Sequence, residues 1–111
     1  MLVARAYEDS KDLPAQRQSL LDLQNEDGGW AFVKAGASHV HTTGECMYAL
    51  SEIGEQPAHP ALEKARKYLL ATQTADGSWL VSSRRNPEKT YDISNFWGTS
   101  WATIGLLRTL P

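Results

Sequence analysis

The sequence has 111 residues, 41% of them hydrophobic and 22% charged, which is the ordinary balance of a globular domain. Its formal net charge is −2, and lysine and arginine are scattered along the chain, so the composition excludes the basic footprint of a nucleic-acid-binding protein. No apolar run approaches the roughly 18 residues of a transmembrane segment, and the single cysteine excludes an internal disulfide. These features leave the compartment open between the cytoplasm and the periphery of a membrane.

Helical periodicity and helix-boundary residues predict four helices in chain order. Pro14 falls in a first turn, where proline is tolerated. Thr42 or Thr43 is expected to cap the second helix, and Gly54 to end it. The predicted helices span residues 13–24, 44–52, 61–73 and 99–110. The last two are joined by a long predicted loop over residues 75–95, and loops of that length are commonly functional or disordered.

The predicted helices differ in polarity. The third carries Lys64, Arg66 and Lys67 on the side away from Leu69, so it is amphipathic and half exposed. The fourth is small and apolar nearly all round until Arg108, as expected of a helix that is buried on most sides. The order amphipathic, buried, amphipathic, buried predicts an all-α fold of two helical hairpins, with the amphipathic helices outside and the small-residue helices inside.

An internal repeat underlies this order. Four residues of the first half recur 49 positions later, in the same order: Gln24 as Gln73, Asp27 as Asp76, Gly28 as Gly77 and Trp30 as Trp79. The inner helices align instead at an offset of 56, with Leu50 matching Leu106, so the second repeat contains seven more residues in its loop. We expect a single domain over residues 1–111, with repeats at about 13–54 and 60–110.

A glutamine, an Asp-Gly turn and a tryptophan that close the first helix of a helical pair resemble the QW repeat of squalene–hopene cyclases and other terpenoid cyclases. Prenyltransferase β-subunits share the same helical pairing. The resemblance covers nearly the whole chain, from about Pro14 to Leu110. It implies a segment of an (α/α) toroid, in which six helical pairs surround an apolar cavity that accepts a polyprenyl or triterpene substrate.

The QW residues themselves are interpreted as structural. Gln24 and Gln73 each offer a carbonyl and an amide to backbone groups at neighbouring helix ends. Trp30 and Trp79 each have roughly 200 Å² to bury between hairpins, which at about 25 cal/mol per Å² corresponds to several kcal/mol. These residues are therefore expected to hold the repeats together and not to carry catalysis.

Cationic cyclisation of squalene needs a strong acid, so acidic side chains are the first candidates for chemistry. The resemblance implies that cyclases supply it from an Asp-X-Asp-Asp motif, and the sequence contains no such motif. Asp92 in the long loop and Glu45 near the start of the second helix are the candidates that remain. The alternatives are that Asp92 is a cap or a solvated turn residue, and that Glu45 is favoured at a helix start by the helix dipole.

A zinc site is the second chemical possibility, because prenyltransferases hold zinc near the starts of their inner helices. His39 and His41 would point the same way in an extended segment, with Glu45 and Cys46 one turn further on, and zinc accepts all these ligand types. The family's Asp-X-Cys spacing is missing, however. The alternative is two loop histidines, a helix-start glutamate and a buried apolar cysteine, with no cofactor.

Aromatic side chains gather where the last helix is expected to begin. Tyr91, Phe96, Trp97 and Trp101 could line the mouth of a toroid, where aromatic faces stabilise a carbocation. The alternative is that they belong to the core.

Three functional interpretations follow from the resemblance. The first is a terpenoid-cyclase-like module from a cyclase or mutase, which forms cavity wall and is inactive by itself. The others are a non-enzymatic hairpin module that binds protein or lipid, and a zinc-dependent prenyltransferase-like segment. Stacked repeats need roughly three units to cover their interior. We therefore expect the inner helices to be covered by the rest of a larger toroid or, in the isolated chain, by a homo-oligomer such as a dimer or a trimer.

Overall fold

The computed structural model describes residues 12–82 and 88–111, and this part of the chain is all-α. It contains four helices: α1 (Leu13–Leu23), α2 (Val40–Glu52), α3 (Pro60–Thr72) and α4 (Asp92–Arg108). Extended pairing in the described residues is limited to two isolated bridges in the connections, Ala31 with Ser38 and Ser82 with Thr90. The prediction of an all-α fold with two pairs of helices is confirmed.

Helix α2 begins four residues earlier than predicted. Thr42 and Thr43 were expected to cap it, but both lie within its first turn. The Thr43 hydroxyl is buried and accepts a hydrogen bond, 2.9 Å long, from the backbone N–H of Trp30. A threonine at a helix start thus satisfies a donor of the preceding loop here, and not a donor of its own helix.

Helix α4 begins at Asp92, seven residues before the predicted start at Thr99, and ends at Arg108. The segment ahead of Thr99 contains Ile93, Phe96 and Trp97, β-branched and aromatic residues of modest helix propensity. Asp92 in the first turn favours the helix, because its carboxylate lies at the positive end of the helix dipole. The predicted loop is therefore shorter at its C-terminal end, and residues 83–87 within it lie outside the described part.

The most extensive contact between helices of the described residues joins the two inner helices, α2 and α4. A Cβ atom at Gly44 would lie only 2.3 Å from the carbonyl oxygen of Trp101, and one at Gly105 would lie 3.1 Å from the Cα of Gly44. Side chains of ordinary size are thus excluded from the contact, so the two backbones touch. Beside this contact, Met47 and Leu50 of α2 are fully buried and belong to the hydrophobic core.

Each tryptophan of the repeat joins an outer helix to an inner one. Trp30 and Trp79 are 2% and 1% exposed. Their ring N–H groups donate to the carbonyls of Leu20 and Leu69, each over 2.8 Å. These carbonyls belong to the last four of α1 and α3, which receive no backbone N–H from their own helix; that of Leu69 also accepts from the Thr72 hydroxyl over 3.2 Å. The buried rings therefore satisfy acceptors that the helix ends leave open.

The backbone N–H groups of the two tryptophans form hydrogen bonds to the inner helices. That of Trp30 donates to Thr43 over 2.9 Å, and that of Trp79 donates to the hydroxyl of Thr99 over 3.0 Å. Trp79 lies 49 positions after Trp30, and Thr99 lies 56 positions after Thr43. The two residues of this hydrogen bond therefore recur in the second repeat, each at the offset of its own element. Each tryptophan is thereby bonded to the outer helix through its ring N–H and to the inner helix through its backbone N–H.

The turn before each tryptophan has the same internal bonds in both repeats. Gly28 and Gly77 have φ angles of 95° and 89°, which glycine adopts without strain. The side-chain amide of Gln24 donates to the carbonyl of Gly28 over 2.9 Å, and that of Gln73 to the carbonyl of Gly77 over 2.8 Å. Hydrogen bonds from Ser78 and Thr74 lower the pKa of Asp76 to about 2, so its carboxylate stays charged in the turn.

The first turn also contacts the second repeat. Gln24 donates a further hydrogen bond, 2.8 Å long, to the carbonyl of Ala61 at the start of α3. A Cβ atom at Gly28 would lie 2.2 Å from the carbonyl oxygen of Lys64, one turn further along the same helix. The first turn is therefore seated on the N-terminal end of the next outer helix.

The C-terminal end of α4 is held by both neighbouring helices. Arg66 of α3 donates to the carbonyl of Thr109 over 2.7 Å, and Ser51 of α2 donates to the carbonyl of Arg108 over 3.3 Å. Two acceptors at this helix end are thus satisfied by side chains from elsewhere in the fold.

The backbone contact at Gly44 generates the first prediction. We expect Gly44→Ala to lower the free energy of unfolding by about 2 kcal/mol, because the added methyl group meets a backbone carbonyl that cannot rotate away, a cost that exceeds the gain in helix propensity. The measurement is urea denaturation followed by circular dichroism. Ser100→Ala, at the equivalent position of α4, is the control and should change stability by less than about 0.5 kcal/mol. Equal stabilities for the two variants would contradict a fixed helix separation.

The two glutamines provide a second, matched test. Gln24→Ala removes a bond inside its turn and a bond to the second repeat, whereas Gln73→Ala removes the equivalent bond inside its turn. At about 1 kcal/mol for each hydrogen bond, Gln24→Ala should destabilise the chain by about 1 kcal/mol more than Gln73→Ala. Urea denaturation of both variants under one set of conditions measures the difference. A larger loss for Gln73→Ala would show that the bond to Ala61 does not hold the repeats together.

Candidate functional site

One stripe of α4 carries large side chains on the surface of the molecule. Ile93, Trp97, Trp101, Ile104 and Arg108 are spaced by four, four, three and four residues, so they lie on one side of the helix. Ile93 is 63% exposed and Trp97 is 50% exposed. An exposed stripe of this kind on a helix that was expected to be buried marks the surface as a candidate site.

The adjoining stripe of α2 continues the same surface. His41 and Tyr48 lie seven residues apart, two turns along one side of the helix. The His41 ring stacks on the Trp101 ring with centroids 6.2 Å apart and planes 17° apart, and Tyr48 meets Trp101 edge to face at 5.8 Å. We call His41, Tyr48, Trp97 and Trp101 the aromatic face; it spans both inner helices.

Polar side chains beside the aromatic rings are paired. The His41 ring lies 2.7 Å from the carboxylate of Glu45, one turn further along α2. Arg108 forms an ion pair with Glu52, and its guanidinium carbon lies 5.1 Å from the centroid of the Tyr48 ring. The surface thus combines flat aromatic rings with paired polar groups, an arrangement that suits an apolar ligand or a delocalised cation.

The structure places the two acidic candidates apart. Glu45 lies in α2 and is engaged by His41. Asp92 is the first residue of α4 and is exposed, about 100° around the helix axis from Ile93 and therefore off the stripe. No assembled acid motif results from these two side chains. A catalytic role for either residue stays a prediction.

The zinc candidates are not arranged as the sequence suggested. His41 lies in the first turn of α2, so it does not share an extended segment with His39, and the two rings are 6.3 Å apart. Cys46 is 2% exposed; burial, together with the charge of Glu45, raises its pKa to about 12, which disfavours the thiolate that binds zinc. Within residues 12–82 and 88–111, no group of three histidine, cysteine, aspartate or glutamate side chains could hold a metal ion.

The four aromatic candidates separate into two sets. Trp97 and Trp101 belong to the aromatic face. Phe96 meets Trp97 edge to face at 6.0 Å but lies about 100° away around α4, and Tyr91 precedes the helix and is 48% exposed. Trp97 and Trp101 are the two candidates that share a surface with α2. That these aromatic residues line a cavity stays a prediction.

Sequence reasoning missed the contribution of α2 to this surface. The signal was the repeat itself, because the offset of 56 maps Trp97 onto His41, Ile104 onto Tyr48 and Arg108 onto Glu52. Applying the offset to every residue of the stripe, and not only to the small residues, would have identified both halves of the aromatic face.

None of the four helices in the described residues is long and apolar enough to cross a lipid bilayer.

Comparison with known proteins agrees with the repeat and the helical architecture. Residues 2–78 match the model of a family described as the squalene-hopene cyclase N-terminal domain. The chain is also similar to lanosterol synthase erg7A of Aspergillus fumigatus, with 34% identity over 91 residues; the match covers 73% of this chain and 12% of that protein. The chain thus spans about an eighth of the length of this relative. Since the family match covers well over half of its residues, the chain belongs to the squalene-hopene cyclase N-terminal domain family.

Proposed function

We propose that this chain is a wall segment of a terpenoid-cyclase-type helical toroid, and that its aromatic face lines an apolar cavity for a polyprenyl or triterpene ligand. The observation that carries the proposal is the exposure of Trp97 beside Trp101 on a surface shared by both inner helices. Membership of the cyclase family supports the class of ligand.

The chemistry of the aromatic face suits a hydrocarbon chain. Aromatic side chains bring 150–250 Å² each to a contact, so the half-exposed Trp97 ring offers roughly 100 Å² of apolar surface. Trp and Tyr rings also attract cations through their faces. A ligand that is apolar before reaction and positively charged during it would therefore be favoured by the same rings in both states.

The segment supplies surface and not the initiating proton. Glu45 is paired with His41, Asp92 lies off the aromatic face, and the sequence has no Asp-X-Asp-Asp motif. The chain is similar to a lanosterol synthase, and the match covers 12% of that protein. In our proposal the acid is contributed from outside this segment.

Ligand binding tests the role of the aromatic face. We expect radiolabelled squalene, offered from mixed detergent micelles at low protein concentration, to bind the full chain, and Trp97→Lys to weaken that binding. Losing roughly 100 Å² of apolar contact costs about 2.5 kcal/mol, or roughly 60-fold in affinity, before the penalty for the new charge.

Phe96→Lys is the matched control for this measurement. It removes the same ring contact between neighbouring aromatic residues but alters a different side of α4. Binding of squalene to this variant should equal that of the parent chain. An equal loss in both variants, or no binding to the parent chain, would contradict the proposed wall.

Catalysis is tested separately. Incubation of squalene with the full chain, followed by gas chromatography and mass spectrometry, should yield no cyclised product, since the proposed segment lacks the acid. Detection of a cyclic triterpene that disappears in Glu45→Gln or Asp92→Asn would overturn this part of the proposal and identify the proton donor.

A further inference from the structure

An ion pair closes the aromatic face at the C-terminal end of the two inner helices. Arg108 is the last residue of α4, Glu52 is the last residue of α2, and their side chains are paired. The guanidinium carbon of Arg108 also lies over the Tyr48 ring, 5.1 Å from its centroid. One face of Tyr48 is therefore occupied by a positive charge that belongs to the chain itself.

The two ends of the aromatic face differ in chemistry. Helices α2 and α4 run in the same direction, because their contacts advance together along both, from Gly44 with Trp101 to Ser51 with Arg108. Trp97 lies near the N-terminal end of this face, eleven residues before Arg108. At 1.5 Å per residue, the two are separated by roughly 16 Å along the helix axis. The face thus has an indole ring at one end and an ion pair at the other.

The backbone that carries the Arg108 side chain is held in place. The carbonyl of Arg108 accepts a hydrogen bond from Ser51 of α2 over 3.3 Å, and that of Thr109 accepts one from Arg66 of α3 over 2.7 Å. The guanidinium therefore projects from a helix end that two neighbouring helices fix. Its charge has a defined position over Tyr48 and is not that of a freely moving surface arginine.

Helix stability alone does not account for the ion pair. A basic residue suits the last turn of a helix, where the dipole is negative, but an acidic residue is disfavoured there. Glu52 occupies this unfavourable position on α2. Ion pairs that are largely exposed also contribute little to stability. The pair is better explained by its effect on the aromatic ring that it covers.

The charge of Arg108 acts on the two ends of the face unequally. A ligand cation brought to Tyr48 would meet the guanidinium at contact distance, where like charges repel strongly. A cation at Trp97 would lie roughly 16 Å away along the helix, about twice the Debye length of about 8 Å at physiological ionic strength, so the repulsion is largely screened. Trp97 is half exposed, so its ring can also meet a ligand.

We propose that Arg108 is a specificity-determining residue of the aromatic face. Its guanidinium takes the cation-binding position on Tyr48, so a ligand places neutral hydrocarbon at that end and positive charge at the Trp97 end. Glu52 is a positioning residue, because it holds the guanidinium over the ring. The class of ligand rests on the wall function proposed above, whereas the occupation of the Tyr48 ring does not. The ion pair thus gives an elongated ligand one favoured direction.

Removal of the ion pair as a unit tests this role. The double variant Glu52→Gln with Arg108→Gln loses one negative and one positive charge, so the net charge is unchanged while the Tyr48 ring becomes free. The probes are radiolabelled dodecyltrimethylammonium and its neutral isostere, in which a tert-butyl group replaces the trimethylammonium head. Both are offered to the full chain from the same non-ionic micelles. We expect affinity for the cationic probe, relative to the neutral one, to rise about threefold, as for one exposed cation–π contact.

Two controls assign the gain to the Tyr48 ring. Adding Tyr48→Leu to the double variant should abolish the gain, because the ring that would receive the cation is then absent. Arg17 and Glu55 form another arginine–glutamate pair, outside the aromatic face. Their joint replacement by glutamine should leave the ratio of the two affinities at the parent value. Circular dichroism and thermal unfolding establish that the variants remain folded.

A measurement without ligand separates this role from the wall function. In the parent chain, the δ-methylene protons of Arg108 should show an upfield ring-current shift by NMR, which Tyr48→Leu removes and Glu52→Gln reduces. Absence of that shift, or a double variant without a gain for the cationic probe, would overturn the role of Arg108. A parent chain that binds no squalene would instead contradict the wall, and the shift and the gain would still decide the role of Arg108.

Discussion

The rest of the structure depends on the backbone contact between the two inner helices. Because Gly44 and Gly105 have no side chains, α2 and α4 approach until their backbones touch. Large side chains cannot enter that contact and are displaced to the flanking sides of each helix. On α2 they enter the core or the aromatic face. On α4 they lie on the aromatic face, on the exposed side that carries Phe96 and Leu107, or, for Leu106, against the core. The short distance between the two helices thus excludes bulky side chains from the positions of Gly44 and Gly105.

The contacts of Trp30 and Trp79 explain why the inner helices of the repeat can consist largely of small residues. Small residues contribute little apolar area, so most of the burial has to come from elsewhere. Trp30 and Trp79 supply it, and their donors also pair with carbonyls at the ends of α1 and α3 and with the hydroxyls of Thr43 in α2 and Thr99 in α4. Burial and hydrogen bonding reside in the same residue, because an indole has a large apolar body and one donor that needs a partner. The cyclase family match ends at residue 78, yet the same hydrogen bond recurs at Trp79 and Thr99.

The sequence predicted the architecture well because periodicity and repetition are local signals. The number of helices, the all-α class and the bare inner helices were all readable from spacing and polarity. The starts of α2 and α4 were not. Thr43 is a good cap by its chemistry, but a tertiary hydrogen bond from Trp30 takes its hydroxyl, and no local rule anticipates a partner from another segment. The early start of α4 has the same origin, since tertiary packing overrides modest propensity.

The candidate site was only half predictable. Aromatic residues near the start of α4 were identified, but their division between two sides of the helix depends on where that helix begins, and the start was misplaced. With the correct start, helical geometry alone separates Phe96 from Trp97. The contribution of Tyr48 depends on the approach of α2 to α4 and required the repeat offset to be applied to polar and aromatic positions alike.

The seven additional residues of the second repeat lie between two fixed points. The connection starts at Trp79 and enters α4 at Asp92. Trp79 forms with Thr99, seven residues further along that helix, the same bond as Trp30 forms with Thr43 across the shorter connection. The hydrogen bond between the tryptophan and the threonine therefore forms in both repeats, although the connections between them differ in length. Closing a longer loop between anchored ends adds only a few tenths of a kcal/mol. Insertions at this point are thus nearly neutral for stability, so repeats of this design can diversify the rim of the molecule while the arrangement of helices stays constant.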